Sequence, residues 1–137
     1  AKIGVESGSP RILKQIQKDE TREEMIAGCK MLNNADVPIT LYLMSGFPGE
    51  TDEDLDMTIS LAKSIKAEYY SLSILSPYMG TKMFYDLIEQ GFPLDKQPWQ
   101  YFYHSSPNLM VNNTISQKKL EEYLSLNEMN KKGSGYV

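Results

Sequence analysis

Apolar runs and helical patterns alternate along the chain. Short apolar runs over residues 1–7, 38–45 and 69–76 predict three buried strands. The stretches between and after them carry apolar residues three and four positions apart, which is the spacing of an amphipathic helix. Strands that are separated by helices of this length predict right-handed βαβ crossovers and a parallel sheet. The predicted fold class is therefore α/β, with about three parallel strands and covering helices.

Capping residues mark where the predicted helices begin. Ser9 stands before Pro10 at a first helical position, and Thr21 with Glu24 has the pattern of a capping box. Thr51 precedes an acid-rich helix start and is predicted to cap it. Two later helices are predicted over residues 81–91 and from about 116 to 131, and the tail KKGSGYV is predicted to be loose.

Composition narrows the class of protein. The 137 residues suit one domain, and 41% hydrophobic residues can fill a modest core. A net charge of −4 gives no electrostatic signal for nucleic acid or for an anionic membrane surface. No apolar run approaches the roughly 20 residues of a membrane span, and no signal-peptide pattern opens the chain, so a cytoplasmic location is predicted. Because the chain begins at Ala1 inside an apolar run, we expect it to be part of a larger protein.

The chain offers few ligands for a metal ion. Cys29 is its single cysteine and His104 its single histidine, which excludes an internal disulfide and leaves too few soft ligands for a metal site. Cys29 lies on the apolar stripe of a predicted helix and is expected in the core. For His104, in the aromatic stretch WQYFYHSSP, we expect a packing or hydrogen-bonding role rather than that of a base. No catalytic residue and no metal ligand is predicted in this chain.

Ligands of parallel α/β sheets bind at the carboxyl ends of the strands. The loops at that edge are residues 6–10, 45–51 and 76–81, all rich in Gly, Pro and hydroxyl side chains. The second loop, SGFPGET, has the Gly-rich form of a phosphate cradle. However, Glu50 and the acidic residues 52–54 already crowd the helix start and would repel a phosphate. The turn is therefore predicted to suit a neutral or cationic ligand, such as a nucleoside.

Three motifs in this order carry a family resemblance. GVESGSPRIL, LYLMSGFPGETDEDLDMT and SILSPYMGT resemble the second half of the radical S-adenosylmethionine (SAM) domain, in the branch related to cobalamin-dependent and methylthiotransferase-type enzymes. Trp99 and the helix from Ser116 resemble the tail that follows in that branch. The resemblance implies a fragment of a partial (β/α)6 TIM-type barrel. Residues 1–91 would form the C-terminal half of the barrel, and residues 92–137 an aromatic connection and a C-terminal helix of the same domain.

The resemblance also implies cofactors for the parent protein. The family holds a [4Fe–4S] cluster on a three-cysteine loop in the first half of the barrel and cleaves SAM to a 5′-deoxyadenosyl radical. That cysteine loop is absent from this sequence. SAM and the cluster are therefore expected in the parent protein, and no cofactor is expected bound to this chain alone, which should be inactive by itself.

The resemblance assigns cofactor-binding roles to eight residues. Glu6 matches a position that contacts the SAM ribose or its neighbouring groups, and Lys18 matches a basic residue that pairs with the methionine carboxylate. The end of the second strand matches the adenine side, although Tyr42 stands where some relatives place an acidic residue near the ribose. The end of the third strand matches the backbone that reads adenine. The eight residues are Glu6, Ser7, Lys18, Met44, Ser45, Gly46, Leu75 and Ser76.

Two functions from different classes follow from the sequence. In the first, the chain is the C-terminal part of a radical SAM enzyme, whose partners are the missing N-terminal half of the barrel and a small-molecule substrate, with no nucleic acid and no membrane indicated. In the second, it is a stand-alone α/β module that binds a small molecule or a partner without catalysis. We also expect the isolated chain to self-associate through its sheet. Half a barrel leaves an unpaired strand edge and an inner face of aliphatic residues, among them Ile3, Val5, Leu41 and Leu43 or their alternates.

Overall fold

Three parallel strands with helices form the fold. The computed structural model describes residues 1–130. Within them the sheet has the order β1-β2-β3, formed by β1 (Lys2–Glu6), β2 (Thr40–Ser45) and β3 (Tyr69–Ile74). The helices are α1 (Pro10–Gln15), α2 (Arg22–Asn34), α3 (Asp52–Ser64), α4 (Lys82–Glu89) and α5 (Gln117–Leu124). The α/β class with parallel strands is therefore confirmed, and this arrangement is consistent with part of a barrel.

The helix starts are built from local hydrogen bonds. Thr21 and Thr51 each accept a hydrogen bond from the backbone N–H three residues on, and the acidic residue there bonds back to the cap, so both are capping boxes. Ser9 caps α1 and accepts from the Ile12 N–H, with Pro10 in the first turn. The three predicted caps are thus confirmed, because each depends on residues within four positions.

The last helix is shorter than predicted. α5 ends at Leu124, and the chain continues as a 3-10 helix over Ser125–Met129. The Ser125 hydroxyl donates to the Glu122 carbonyl at 2.7 Å, which satisfies a terminal carbonyl from the side chain. The predicted end at residue 131 and the tail KKGSGYV lie outside the described residues. No helix within the described range is long and apolar enough to cross a membrane.

The main core lies between one face of the sheet and the helices. Val5, Leu41 and Leu43 are buried there against side chains of α2 and α3. The sequence predicted that these residues or their alternates along the strands face the inside of a barrel. The named residues pack against the helix layer instead, together with Ile3, so the inward positions would be the alternates. Period-two alternation separates the two faces of a strand but does not say which one the helices cover.

The opposite face of the sheet is more polar, and we call it the open face. Register pairs Gly4 with Tyr42, Tyr42 with Ser71, and Met44 with Ser73, so these side chains share a face that alternates with the aliphatic one. Self-association by packing of this open face stays a prediction. β1 pairs with β2 on one side, and its other side is an edge of the sheet. Association through that edge stays a prediction.

The segment after α4 crosses the carboxyl ends of the strands. It forms short 3-10 turns over Leu94–Lys96, Trp99–Tyr101 and Pro107–Leu109, and Leu94, Leu109 and Val111 pack into a second buried cluster with α4 and Phe47. The Asn112 amide then donates to the carbonyls of Phe47 and Glu50, at 2.7 and 2.8 Å. This segment therefore braces the loop between β2 and α3.

Candidate functional site

Three loops meet at the carboxyl edge of the sheet, where the site was predicted. They connect β1 to α1, β2 to α3, and β3 to α4. The Leu75 N–H donates to the Ser45 carbonyl at 2.7 Å, which joins the ends of β2 and β3. Because parallel strands end at the same edge of a sheet, the topology alone places these three loops side by side.

Glu6 occupies a strained position at the end of β1. The pairing with β2 shifts register between Gly4 and Glu6, and Glu6 has φ 62, a left-handed backbone that residues other than glycine rarely adopt. Its carboxylate folds back over Gly4, since a Cβ placed at Gly4 would lie 2.7 Å from Glu6 Oε1. The glycine of the GVES motif therefore makes room for the carboxylate on the open face. Strain of this kind concentrates at functional sites.

The Lys18 ammonium is near enough to Glu6 for its charge to act on the carboxylate. Burial raises the pKa of Glu6, and the charge of the nearby Lys18 ammonium lowers it in part. Lys18 also forms an ion pair with Glu20 at 2.6 Å. A groove of about 450 Å³ between β1 and α2 is lined by Gly4 and Lys18, among others. The half-buried Glu6 carboxylate at the end of β1 thus lies within the electrostatic influence of Lys18, which lines this groove.

The turn between β2 and α3 is filled by its own side chain. Glu50 is fully buried, and its Oε2 accepts hydrogen bonds from the Gly46 N–H at 2.7 Å, the Phe47 N–H at 3.2 Å and the Ser45 hydroxyl at 3.2 Å. Burial raises the pKa of Glu50, these three hydrogen bonds lower it, and the charge of Asp54 raises it further. The turn already uses its donors on the Glu50 carboxyl group, which leaves no place for a phosphate.

The other oxygen of Glu50 stands out. Oε1 is buried and has no hydrogen-bond partner among residues 1–130. A buried carboxylate oxygen without a partner is costly when the group is ionised, which agrees with the raised pKa. Sequence reasoning counted Glu50 among the acids at the helix start and missed that it turns back into the loop. The sequence signal that could have indicated this is the position of Glu50 at the end of the Gly-rich turn SGFPGET.

A second buried network ties the first loop to α3. Ser7 is fully buried, and its hydroxyl lies 3.1 Å from Thr58 Oγ1, which also accepts from the Gly8 N–H at 2.9 Å. The Ser9 hydroxyl donates to Asp54 at 2.6 Å, and Arg11 pairs with the same carboxylate. The Ser7 side chain therefore points into the helix layer, so a cofactor contact from Ser7 would have to come from its backbone.

Asp54 makes the stability of this network depend on pH. Desolvation pushes its pKa up, but hydrogen bonds from Arg11, Ser9 and Thr51 outweigh it and bring the pKa from 3.8 to about 2. A lowered folded-state pKa adds stability above the unfolded-state pKa, and that stability is lost as pH falls through the folded value.

We expect Asp54→Asn to lower the free energy of unfolding by roughly 2 kcal/mol at pH 7, with the difference shrinking as pH falls from about 4 to 2. Urea unfolding over that pH range measures it. The matched control is Asp56→Asn: Asp56 is 56% exposed in its pair with Lys119, and an exposed pair contributes about 1 kcal/mol or less. A difference that stays constant with pH would show that the Asp54 charge is not the cause.

The remaining assigned residues lie at the ends of β2 and β3. Ser45 and Gly46 are bonded to Glu50, as above, while the Ser76 hydroxyl accepts from the Ser106 N–H at 2.8 Å. Leu75 is buried in the second cluster, and Met44 lies on the open face. Two groups thus form along one edge, Glu6 with Lys18 and the ends of β2 and β3. Their contact with a cofactor stays a prediction.

The residues fit SAM and do not fit the iron–sulfur cluster. Carboxylates accept hydrogen bonds from vicinal hydroxyls and ammonium groups pair with carboxylates, so the chemistry of Glu6 and Lys18 is compatible with the predicted contacts to the ribose and the methionine carboxylate. A [4Fe–4S] cluster requires several cysteine thiolates, but Cys29 is the one cysteine and is 2% exposed in the core. The burial of Cys29 confirms the prediction that it is a core residue. Within residues 1–130 no group of three potential metal ligands is present.

Comparison with known proteins places the chain in a family. A family model described as the Radical SAM superfamily matches residues 1–62. The chain is 31% identical, over 94% of its length, to a tRNA-2-methylthio-N(6)-dimethylallyladenosine synthase of Thermosipho melanesiensis. It is 38% identical, over 89% of its length, to the protein of the same name in Fervidobacterium nodosum. An uncharacterized methyltransferase of Pyrococcus horikoshii is 30% identical over 85% of the chain.

The chain matches only part of the length of each of these relatives. The chain spans 28% of each of the two synthases and 25% of the methyltransferase. The family match covers β1 to most of α3, which is the part that holds Glu6, Lys18 and the Glu50 turn. The motifs, the parallel strands and these matches agree, so the chain belongs to the radical SAM superfamily, in its methylthiotransferase-like branch.

Proposed function

We propose that this chain is the C-terminal part of a longer radical SAM enzyme and supplies walls of its SAM site and substrate cavity. The observation that carries the proposal is the strained Glu6, whose carboxylate lies on the open face beside Lys18. When bound in the parent, SAM and a [4Fe–4S] cluster held by cysteines elsewhere would supply the 5′-deoxyadenosyl radical. This chain by itself is inactive in that reaction.

Each assigned residue has a distinct task toward SAM. Glu6 accepts hydrogen bonds from the ribose hydroxyls, and Lys18 pairs with the methionine carboxylate. The ends of β2 and β3 line the adenine through their backbone, because the side chains of Ser45 and Ser76 are already hydrogen-bonded within the protein. Glu50 keeps the β2 end in shape and does not contact the cofactor, since its carboxylate is fully buried in the turn.

The relatives suggest the class of substrate. Two of them are named for a modified adenosine of tRNA, so we propose a nucleoside-containing substrate for the parent. The net charge of this chain is −4, and an acidic surface does not attract phosphates. Contacts to an RNA backbone would therefore come from other parts of the parent, while this chain lines the cavity for the base. The alternative, a stand-alone α/β binding module, lacks a reason for the strained carboxylate at Glu6.

The test is the affinity of the parent protein for SAM. We expect Glu6→Ala to weaken binding by about 1.5 to 3 kcal/mol, the usual range for a hydrogen bond to a charged group. Glu6→Gln should weaken it less, because an amide oxygen still accepts a hydrogen bond. Isothermal titration calorimetry with SAM measures both.

Glu53→Gln is the matched control. Glu53 is an exposed acid in the first turn of α3 and lies outside the proposed SAM site, so its substitution should change the affinity little. Equal affinity of the Glu6→Ala variant and the unchanged protein would remove Glu6 from the SAM site and leave the binding module as the better proposal.

A further inference from the structure

The segment around His104 is fastened along β3. His104 Nε2 lies 3.0 Å from the Ser73 hydroxyl. The Ile74 N–H donates to the Ser105 hydroxyl at 3.0 Å, and the Ser106 N–H donates to the Ser76 hydroxyl at 2.8 Å. Consecutive residues 104–106 thus each bond to β3 or to the loop that follows it. Ser105 adopts φ 55, a left-handed backbone that is uncommon outside glycine. A strained turn held at three points fixes the imidazole in place.

His104 lies on the open face of the sheet. Ser73 pairs with Met44 in the register of β2 and β3, on the face that also carries Tyr42 and Gly4. The Glu6 carboxylate lies over Gly4 on that face. Neighbouring strands are about 4.8 Å apart, so Ser73 on β3 and Glu6 on β1 are separated by roughly 10 Å across β2. A ligand at Glu6 and a second molecule at His104 would therefore be neighbours.

The Ser73–His104 bond is not needed to anchor the segment. The two flanking bonds, from Ser105 and Ser106, already hold it to β3. The His104 ring is exposed, and its Nδ1 has no hydrogen-bond partner within residues 1–130. Ser73, in contrast, is 8% exposed. Ser73 thus positions the imidazole through Nε2. This leaves Nδ1 to donate or accept a hydrogen bond, depending on the tautomer.

The surroundings indicate what His104 would contact. The residues next to Ser73 on the open face, as the register places them, are uncharged: Tyr42, Met44 and Ser71. An aromatic ring and a thioether offer flat, polarisable surface to a ring-shaped ligand. Trp99 and Tyr103, in the same segment as His104, are 74% and 48% exposed. These features suit a neutral planar ring with hydrogen-bonding nitrogens and give no counter-charge to an ionic group.

We propose that His104, positioned by Ser73, contacts the substrate of this enzyme and recognises an uncharged nucleobase through one hydrogen bond. The proposal rests on the proposed function, because it places the substrate on the face that carries Glu6. It adds a specificity residue from outside residues 1–62, the part matched by the family model.

The experiment measures the binding of a nucleoside and the binding of SAM separately, in the full-length protein. N6-dimethylallyladenosine is titrated with and without saturating SAM, and the imidazole signals of 13C-histidine-labelled protein are recorded. A difference spectrum against His104→Gln identifies the His104 signal. We expect the nucleoside to shift it, and His104→Gln and Ser73→Ala to weaken nucleoside binding roughly tenfold, the effect of one lost hydrogen bond. The Kd for SAM should stay within about twofold for both variants.

Controls keep this inference distinct from the proposed function. Tyr85→Phe, on an exposed side chain of α4, should change neither affinity, and melting curves verify that each variant is folded. Nucleoside binding that is equal in His104→Gln and the unchanged protein, or a His104 signal that ignores the nucleoside, would overturn the inference even if SAM binds normally. Loss of SAM binding in Glu6→Ala concerns the proposed function alone.

Discussion

Glu50→Ala is expected to lower the free energy of unfolding by about 3 to 5 kcal/mol, because the truncation leaves buried donors without an acceptor. The Gly46 N–H, the Phe47 N–H and the Ser45 hydroxyl all donate to the one oxygen that the substitution removes. Glu50 is fully buried, so water does not replace it without opening the turn. Chemical denaturation at pH 7 measures the loss.

Two further variants separate the causes. Glu50→Gln keeps one acceptor oxygen and should cost much less than alanine. Because the pKa of Glu50 is raised in the fold, the neutral form is favoured there, and stability decreases as pH rises through the folded-state pKa. The glutamine variant should lack that decrease. Glu53→Ala is the matched control: Glu53 is an exposed acid in the first turn of α3, three residues after Glu50, and its substitution should change stability by less than about 0.5 kcal/mol. An alanine variant at Glu50 as stable as this control would contradict the role of the buried carboxylate.

Gly8→Ala is expected to destabilise the fold by roughly 3 kcal/mol, since overpacking against backbone cannot be relieved by a side-chain rotation. A Cβ at Gly8 would lie 2.3 Å from the Met57 carbonyl oxygen and 2.8 Å from Thr58 Cα. The loop between β1 and α1 would have to move away from α3, which would also break the bond from the Gly8 N–H to Thr58. The thermal midpoint and urea unfolding both report the change.

Gly28→Ala provides a control of opposite sign. Gly28 lies inside α2, and a Cβ there meets nothing within 4 Å. Alanine is favoured over glycine in a helix by about 0.5 to 1 kcal/mol, so this variant should be more stable. If both glycine variants were destabilised equally, close contact between the loop and α3 would not be the reason at Gly8.

The local features of the fold could be predicted from the sequence. The caps at Ser9, Thr21 and Thr51 depend on residues within one helical turn, and the strands appear as short apolar runs. The side of the sheet that the helices cover could not be predicted, because alternation is the same for both faces. The change from α-helix to 3-10 helix at Ser125 was not predicted, because helical spacing of apolar residues does not distinguish the two forms at the end of a helix.

The resemblance assigned roles to Glu6 and Lys18, which stay predictions, and the structure places the Lys18 charge near enough to act on the Glu6 carboxylate. The residues that support this part of the fold were not predicted. The inward turn of Glu50 was missed, because a local pattern of acids shows charge but not which carboxylate closes on the backbone. The pairing of Ser73 with His104 joins residues 31 positions apart, a contact that no local pattern encodes.

The most direct measurement is 5′-deoxyadenosine formation after anaerobic reconstitution with iron and sulfide, in the presence of SAM and a reductant. We expect the full-length parent to form it and the 137-residue chain to form none, because one cysteine cannot hold a cluster that needs several thiolates. Stoichiometric product from this chain alone, or none from the reconstituted parent, would contradict the assignment of the chain as the SAM-binding wall of a radical SAM enzyme.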